Sequence, residues 1–399
     1  MATSVSLEQL RSLVYGACFL ASGGGGPISM ALQFLERMKG PVPMVALHEL
    51  SSFASDTDQV LILADMGSPD KAAEGFGYTA PINVFHTMKD YLAQTGSGNV
   101  SYLLPIELGA VNSLIPFFIA SQLPTALPVV DADPSGRSVP QLNETLLDAS
   151  GQAICPAAVA SDTAADGSVV SQIFLGMDAT TLEDQSRVAV SGEIYHEVAG
   201  LACYPMSAAW LGSSAGSQAL VPGSLSAAML VGDLMQTTQS VAALQGLLDV
   251  LKVSNYVLFE GVLSDMKNST EGGFDIGKMI FTDTAGEEFW VYYKNESLLA
   301  WDPLNKVAKV IAPDCINLVL TADFTDPATG KSVAAGSPLS TADVVKGMSC
   351  RVWGTSCSEK MRTTRMETLF MANIQQIEQA YPDDGLQVQT YVPIEKLNG

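Results

Sequence analysis

Three continuous apolar runs of strand length, Gln59–Ala64, Val100–Leu104 and Ala126–Val130, alternate with helix-length segments around Ile82–Gln94 and Ala110–Gln122. Strands without polar alternation must be covered on both faces, and strands separated by helices pair in parallel. The first half of the chain therefore predicts an α/β domain on a parallel sheet. In open sheets of this kind, ligands bind in the crevice beyond the carboxyl ends of the strands. Those ends read Asp65-Met66-Gly67-Ser68-Pro69, Pro105-Ile106-Glu107-Leu108-Gly109 and Asp131-Ala132-Asp133-Pro134-Ser135-Gly136-Arg137. Each supplies an acid and a glycine, which makes Glu107, Asp131 and Asp133 the first candidates for chemistry.

Asp131 and Asp133 stand two residues apart, and in an extended segment both side chains point to one side. Such a pair can bind a divalent metal, or share a proton and serve as general acid or base near neutral pH. The same residues are also good turn chemistry, because Asp-Pro-Ser-Gly favours a β-turn with acids capping backbone N–H groups. Arg137 is either the counter-ion of this cluster or a substrate anchor.

Upstream, Ser6 with Gln9 matches a capping box, and Leu10, Leu13, Val14 and Ala17 keep helical spacing to about Leu20. Gly23, Gly24, Gly25 and Gly26 break that helix, and Pro27 suits the first turn of a second one running to Met38. Four glycines let backbone N–H groups approach an anion or oxyanion beside a helix N-terminus. The run follows a helix and lacks a Lys-Ser/Thr, so it is neither a P-loop nor a dinucleotide fingerprint, and no nucleotide cofactor is expected. It also suits a tight helix-to-helix turn.

Around Asp162–Ser168 the chain turns small and polar, which predicts domains at 1–165 and 166–399. Beyond it, Val169–Leu175, Arg187–Glu197, Tyr256–Ser264, Phe289–Tyr293, Ile316–Thr321 and Cys350–Thr355 read as strands of a β-rich domain. Helices near Pro205–Ala219 and Leu225–Leu251 interrupt them, the second broken near Thr237–Ser240.

Composition narrows the partners. With 42 Asp plus Glu against 20 Lys plus Arg, the formal charge of −22 repels nucleic acid and anionic membrane surfaces. The start of the chain lacks a basic n-region and a signal-length apolar core, so a cytoplasmic location is expected. The six cysteines show no C-x-x-C spacing and are expected to be reduced, mostly buried thiols. Only His48, His86 and His196 are present, so any metal would need mainly carboxylate ligands such as Asp131 and Asp133. Sixteen methionines and few charges suit an oligomer or partner interface.

Together, Ala21-Ser22 with Gly23–Gly26 and Pro27, Met66-Gly67-Ser68-Pro69, Glu107-Leu108-Gly109 with Asn112, and Asp131-Ala132-Asp133 with Gly136-Arg137 resemble the S-methyl thiohydantoin desulfurase family. The resemblance continues at Val221-Pro222-Gly223-Ser224, Glu271-Gly272-Gly273-Phe274, Lys294-Asn295-Glu296-Ser297-Leu298, Pro313-Asp314 and Tyr391-Val392-Pro393. It departs from the family pattern at Gln141, where Glu is expected, and over Met366–Ile377. The resemblance implies an N-terminal α/β domain, a β-rich C-terminal domain, and hydrolysis of a thiohydantoin-type ring carbon with release of a thiol. For that chemistry the expected catalytic residues are Asp131 or Asp133 as general base or as ligand of an activating metal, with Glu107 to orient or protonate. The backbone of Gly23, Gly24, Gly25 and Gly26 is expected to stabilise negative charge, and Asn112, Arg137, Asn295 and Glu296 to hold a small substrate by its polar edge or a carboxylate tail. The alternative is a non-catalytic small-ligand-binding subunit or a partner of a hydantoinase-like enzyme.

Overall fold

The computed structural model describes residues 2–55, 57–67, 77–271 and 274–399. Ser68-Pro69 and Gly272-Gly273 of the motifs above lie outside the described residues. Four parallel strands form the middle of the first sheet: Val42–Ala46, Val129–Asp133, Asn99–Pro105 and Asp58–Gly67, side by side in that order. The three strands expected from the apolar runs are all present. The rest of the nine-stranded sheet is antiparallel: Thr3–Val5 beside Val42–Ala46 at one edge, Val198–Ser207, Ala157–Ala160 and Ser171–Phe174 on the other side, and Val221–Pro222 paired with the end of Val129–Asp133. The polar stretch at Asp162–Ser168 is thus the connection of a hairpin within this sheet.

Double-sided burial explains the unbroken apolar runs. Leu61, Leu63, Leu103 and Val129 face the helices Leu7–Leu20, Ile28–Glu36, Ala80–Gln94 and Ile115–Gln122. Val60, Ile62, Leu104 and Val130 face the opposite layer, which contains Leu182, Tyr195 and Leu211. The capping box at Ser6 and Gln9 forms as expected.

The second sheet has eight strands, all antiparallel, from Val307–Ile311 at one edge through Glu296–Asp302, Glu288–Lys294, Phe274–Thr282, Asn255–Glu271, Ser349–Thr355 and Cys315–Leu320 to Pro338–Leu339. The helix Thr364–Ala380 covers one face through Met366, Phe370, Ile374 and Ile377.

Two expectations need correction. Arg187–Glu197 is no strand: Ala179–Val190 is a helix, capped by Asp178, whose carboxylate accepts from the Thr181 N–H, and the strand begins only at Val198. The buried face Leu182, Glu183, Ser186, Val190 follows a 3.6-residue period that the apparent alternation after Arg187 concealed. Pro205–Ala219 is the end of that strand followed by two short helices, Ala208–Leu211 and Ser214–Gln218, each capped by a serine hydroxyl. The break near Thr237–Ser240 is present, between Ser224–Thr237 and Val241–Val250.

The helix Ser224–Thr237 crosses Leu7–Leu20 with backbones in contact. A methyl group on Gly16 would lie 1.7 Å from the Ala228 carbonyl oxygen, and one on Gly232 would lie 1.8 Å from that of Ser12. The halves of the chain are joined there and again at Ser22. Its hydroxyl donates to the Ser297 carbonyl and accepts from the Ile316 N–H, and its own carbonyl accepts from the Ser297 N–H.

Candidate active site

The carboxyl ends of the parallel strands open into a cleft of about 730 Å³, closed on its far side by residues of the second sheet. Gly23–Gly26, Glu107 and Asn112 line it from the first half, and Asn295 and Glu296 from the second. Of the features expected from the first half, Glu107 and the glycine run are therefore met across the cleft by the two residues that the resemblance supplied from the second. Asp131, Asp133 and Arg137 are not among the residues lining it.

The glycine run is a wall of the cleft because its backbone is wedged against the next strand end. Gly25, at φ +70°, meets Gly109 so closely that a methyl group on Gly25 would lie 2.4 Å from the Gly109 Cα. Its carbonyl accepts from the N–H groups of Val111 and Asn112, and the Gly23 carbonyl accepts from the N–H and hydroxyl of Thr341. All four glycines line the cleft, so no side chain of this run stands between its backbone and a ligand. At the start of the following helix, the place expected for an anion is taken by the protein itself: the Asp343 carboxylate accepts from the Ile28 N–H, and from the N–H and hydroxyl of Ser340.

Glu107 stands at the end of the Asn99–Pro105 strand and is 6% exposed. One carboxylate oxygen accepts from the Asn112 side-chain amide at 2.8 Å and the other from the Val139 N–H at 2.7 Å. Burial raises its pKa to about 7 against the pull of those two donors, with repulsion from Asp133 adding to the rise. Asn112 is fixed in turn by the Asp65 N–H, which donates to its side-chain oxygen.

Glu296 reaches the cleft from the second sheet, one residue past a tight hairpin in which Asn295 has φ +58°. It is 5% exposed, and its Oε2 has no hydrogen-bond partner among the described residues. Burial, reinforced by repulsion from Glu107, raises its pKa well above the ordinary carboxylate range. Two neighbouring buried acids thus sit in opposite settings. Glu107 has two donors favouring its ionised form; Glu296 has an orphan oxygen favouring its protonated form.

Asp131 and Asp133 realise the turn-and-cap chemistry. Asp133 is fully buried, and its Oδ1 accepts from the N–H groups of Ser135 and Gly136 and from the Ser135 hydroxyl. Asp131 accepts from the N–H and hydroxyl of Ser226 in the first turn of the Ser224–Thr237 helix. Both oxygens of Asp131 and the Oδ1 of Asp133 are engaged by backbone and hydroxyl donors, while the buried Oδ2 of Asp133 has no partner among the described residues; the two-residue spacing could not distinguish this from a paired site. Among the described residues no group of three or more His, Cys, Asp or Glu is arranged to hold a metal ion.

Arg137 corrects a further expectation. Its guanidinium, fully buried, is neither the counter-ion of the Asp131–Asp133 pair nor a substrate anchor. It donates to the carbonyls of Ser138, Pro313, Asp314 and Ser297 and lies over the Phe370 ring. Sequence reasoning missed Asp65, Glu183, Arg187 and Glu197 as lining residues. Asp65 was visible as a strand-end acid; Arg187 was hidden by reading the end of its helix as a strand, and Glu183 lay between two expected strands in a stretch assigned to no element. Glu183 accepts from the Leu142 N–H and pairs with Arg187 at 2.7 Å. Gln141 also lines the cleft, and the altered Met366–Ile377 segment is a core helix whose Asn373 bridges the buried pair Glu144 and Lys294. Five of the six cysteines are buried, and all six are free thiols. No helix among the described residues is long and apolar enough to cross a membrane.

An X-ray crystal structure of a protein from Chromobacterium violaceum, a structural-genomics target, superposes on this chain with a TM-score of 0.79 at 24% identity, covering 98% of this chain and 100% of that one. It has the same fold. No curated protein matches. The family model described as S-Me-THD-like, N-terminal domain, matches residues 8–171, and its companion, S-Me-THD-like, C-terminal domain, matches residues 178–371. The two matches take in most of the fold and both walls of the cleft, and the chain belongs to the S-Me-THD-like family.

Proposed function

We propose that the protein hydrolyses a small cyclic amidine-like substrate of the S-methyl thiohydantoin type, with Glu107 as general base and Glu296 as general acid. The observation that carries this reading is the unequal pair of buried acids on opposite walls of one cleft. Two neighbouring carboxylates do not both ionise, and the one with hydrogen-bond donors gives up its proton first.

The chemistry balances on these two groups. Ionised Glu107 takes a proton from water as its oxygen attacks the ring carbon between two nitrogens, and protonated Glu296 passes its proton to the ring nitrogen whose π bond opens. In collapse, the new hydroxyl returns a proton to Glu296 and the carbon–sulfur bond breaks, its electron pair leaving on sulfur. Glu107 then protonates that sulfur. A hydantoin and a thiol depart, and both acids recover their starting states. N–H groups of the Gly23–Gly26 run are suited to stabilise negative charge that develops on the ring. Asn112 positions Glu107.

Thiol release from an S-methyl thiohydantoin by the purified protein, followed with a thiol-reactive dye, tests the reading. Replacing Glu107 or Glu296 by Gln is expected to lower the rate by about 10²–10⁴-fold, the range for loss of a general acid or base. Absence of thiol release from the wild-type protein on a panel of ring-substituted substrates would reject it.

A further inference from the structure

Within the cleft, charge is lopsided. Among the described residues, the acidic and basic side chains lining it are Asp65, Glu107, Glu183, Glu197 and Glu296 against Arg187, and Arg187 is already paired with Glu183. Arg137, one of whose expected roles was substrate anchor, lies fully buried with its donors spent on carbonyl oxygens and does not line the cleft. Among the described residues, an anionic substituent would therefore enter a site whose acids outnumber its cations and whose one arginine is committed to an acid. At the same site Glu296 is 5% exposed and holds an oxygen with no partner among the described residues. A buried carboxylate oxygen without a donor is costly, and an N–H cation arriving with the ligand removes that cost.

We propose that the cleft takes its substrate as a cation, an amidinium or isothiouronium-type N–C–N group whose N–H donates to Glu296, and that it disfavours rings carrying a carboxylate. The inference rests on the hydrolytic reading of this site and deepens it. The proton that Glu296 would pass to the ring nitrogen can equally arrive on that nitrogen, leaving Glu296 ionised and ion-paired from the start. The groups facing Glu296 are Glu107 across the cleft, Glu144 and Arg137 behind it, and Lys294 on the neighbouring strand. Because burial favours the neutral form of Glu296 when the site is empty, a cation that ion-pairs with it must drive off its proton, and binding must tighten as the pH rises.

Titration calorimetry with three probes tests this: the S-methylisothiouronium ion, neutral hydantoin and hydantoin-5-acetate. The cation is expected to bind at least tenfold more tightly than the carboxylate probe. Its affinity should rise severalfold from pH 6 to pH 8, and buffers of different ionisation enthalpy should report proton release. Glu296→Gln should weaken the cation by tenfold or more and leave hydantoin nearly unchanged. The wild-type comparisons hold even if that variant folds poorly. Absence of isothiouronium binding, or hydantoin-5-acetate binding as tightly as the cation, overturns the inference. The thiol-release assay reports separately: turnover with a preference for carboxylate-bearing rings would sink cation selection alone, and cation binding without turnover would sink hydrolysis alone.

Discussion

The Glu296 carboxylate lies against the Cα of Gly24: a methyl group on that glycine would stand 2.2 Å from Glu296 Oε1 and 2.3 Å from the Ser138 hydroxyl. Glycine is required here for space. The contact ties the loop after the first helix to an acid contributed by a distant hairpin of the second sheet.

Gly24→Ala is therefore expected to push the Glu296 side chain out of place. Overpacking of this kind costs about 1–3 kcal/mol, and thiol release should fall by roughly the factor lost on removing the acid itself. Shortening the acid makes room, so Gly24→Ala with Glu296→Asp should be less destabilised than the sum of the single changes. Thermal unfolding of the four proteins checks this; strict additivity would place Glu296 elsewhere.

The pH dependence follows from Glu107. Its pKa rises from 4.5 to about 7 on folding, so the unfolded chain releases this proton first. Between those values the native state holds more protons than the unfolded one, and stability falls as the pH increases. The full effect is roughly 3 kcal/mol, accumulating at about 1.4 kcal/mol for each pH unit between the two values, complete above pH 7 and absent below pH 4.5. Glu144, buried with a pKa also near 7, adds a second contribution of the same sign. Glu107→Gln should flatten the decline in urea midpoint between pH 5 and pH 8, whatever it does to the absolute stability. Catalysis has the opposite sign: with Glu107 as base, the wild-type rate should climb with pH through about 7.

Much of this site was legible in the chain because parallel α/β geometry places strand-end residues in one crevice. Glu107, Asn112 and the glycine run followed from that rule together with the resemblance. What spacing could not decide was whether an acid faces ligand or backbone. Asp131 and Asp133 became caps, and Asp314 accepts from Tyr391, Cys357, Ile394 and Arg362, so Pro313-Asp314 and Tyr391 form one buried brace. Val221-Pro222-Gly223-Ser224 pairs with the Asp131-bearing strand and starts the helix that Asp131 caps. Arg187 escaped notice because a helix with polar and apolar residues nearly alternating mimics a strand over several positions.

Asp131 offers a clean contrast with Glu107. Asp131→Ala removes the acceptor for the Ser226 N–H and hydroxyl, and a lost cap costs about 0.5–2 kcal/mol. Thiol release at a temperature well below unfolding should stay within about twofold of the wild type. A loss comparable to that of Glu107→Gln would return Asp131 to the catalytic machinery.

Arg137 makes the last prediction, because its function is to hold the halves of the chain together. Its donors satisfy the Ser138 carbonyl at 2.8 Å and, from the second half, those of Pro313, Asp314 and Ser297 at 2.7, 3.1 and 3.4 Å. Arg137→Met fills much of the same space beside Phe370 but leaves those buried acceptors short of donors, at about 1–3 kcal/mol for each group left unsatisfied. It also removes the cation whose attraction lowers the pKa values of Glu107 and Glu296. The variant should unfold at a lower temperature, and if it turns over, its rate should rise only at a higher pH than in the wild type. A substrate anchor would behave differently, raising KM with unfolding and pH profile intact, and that outcome would restore Arg137 to the binding site.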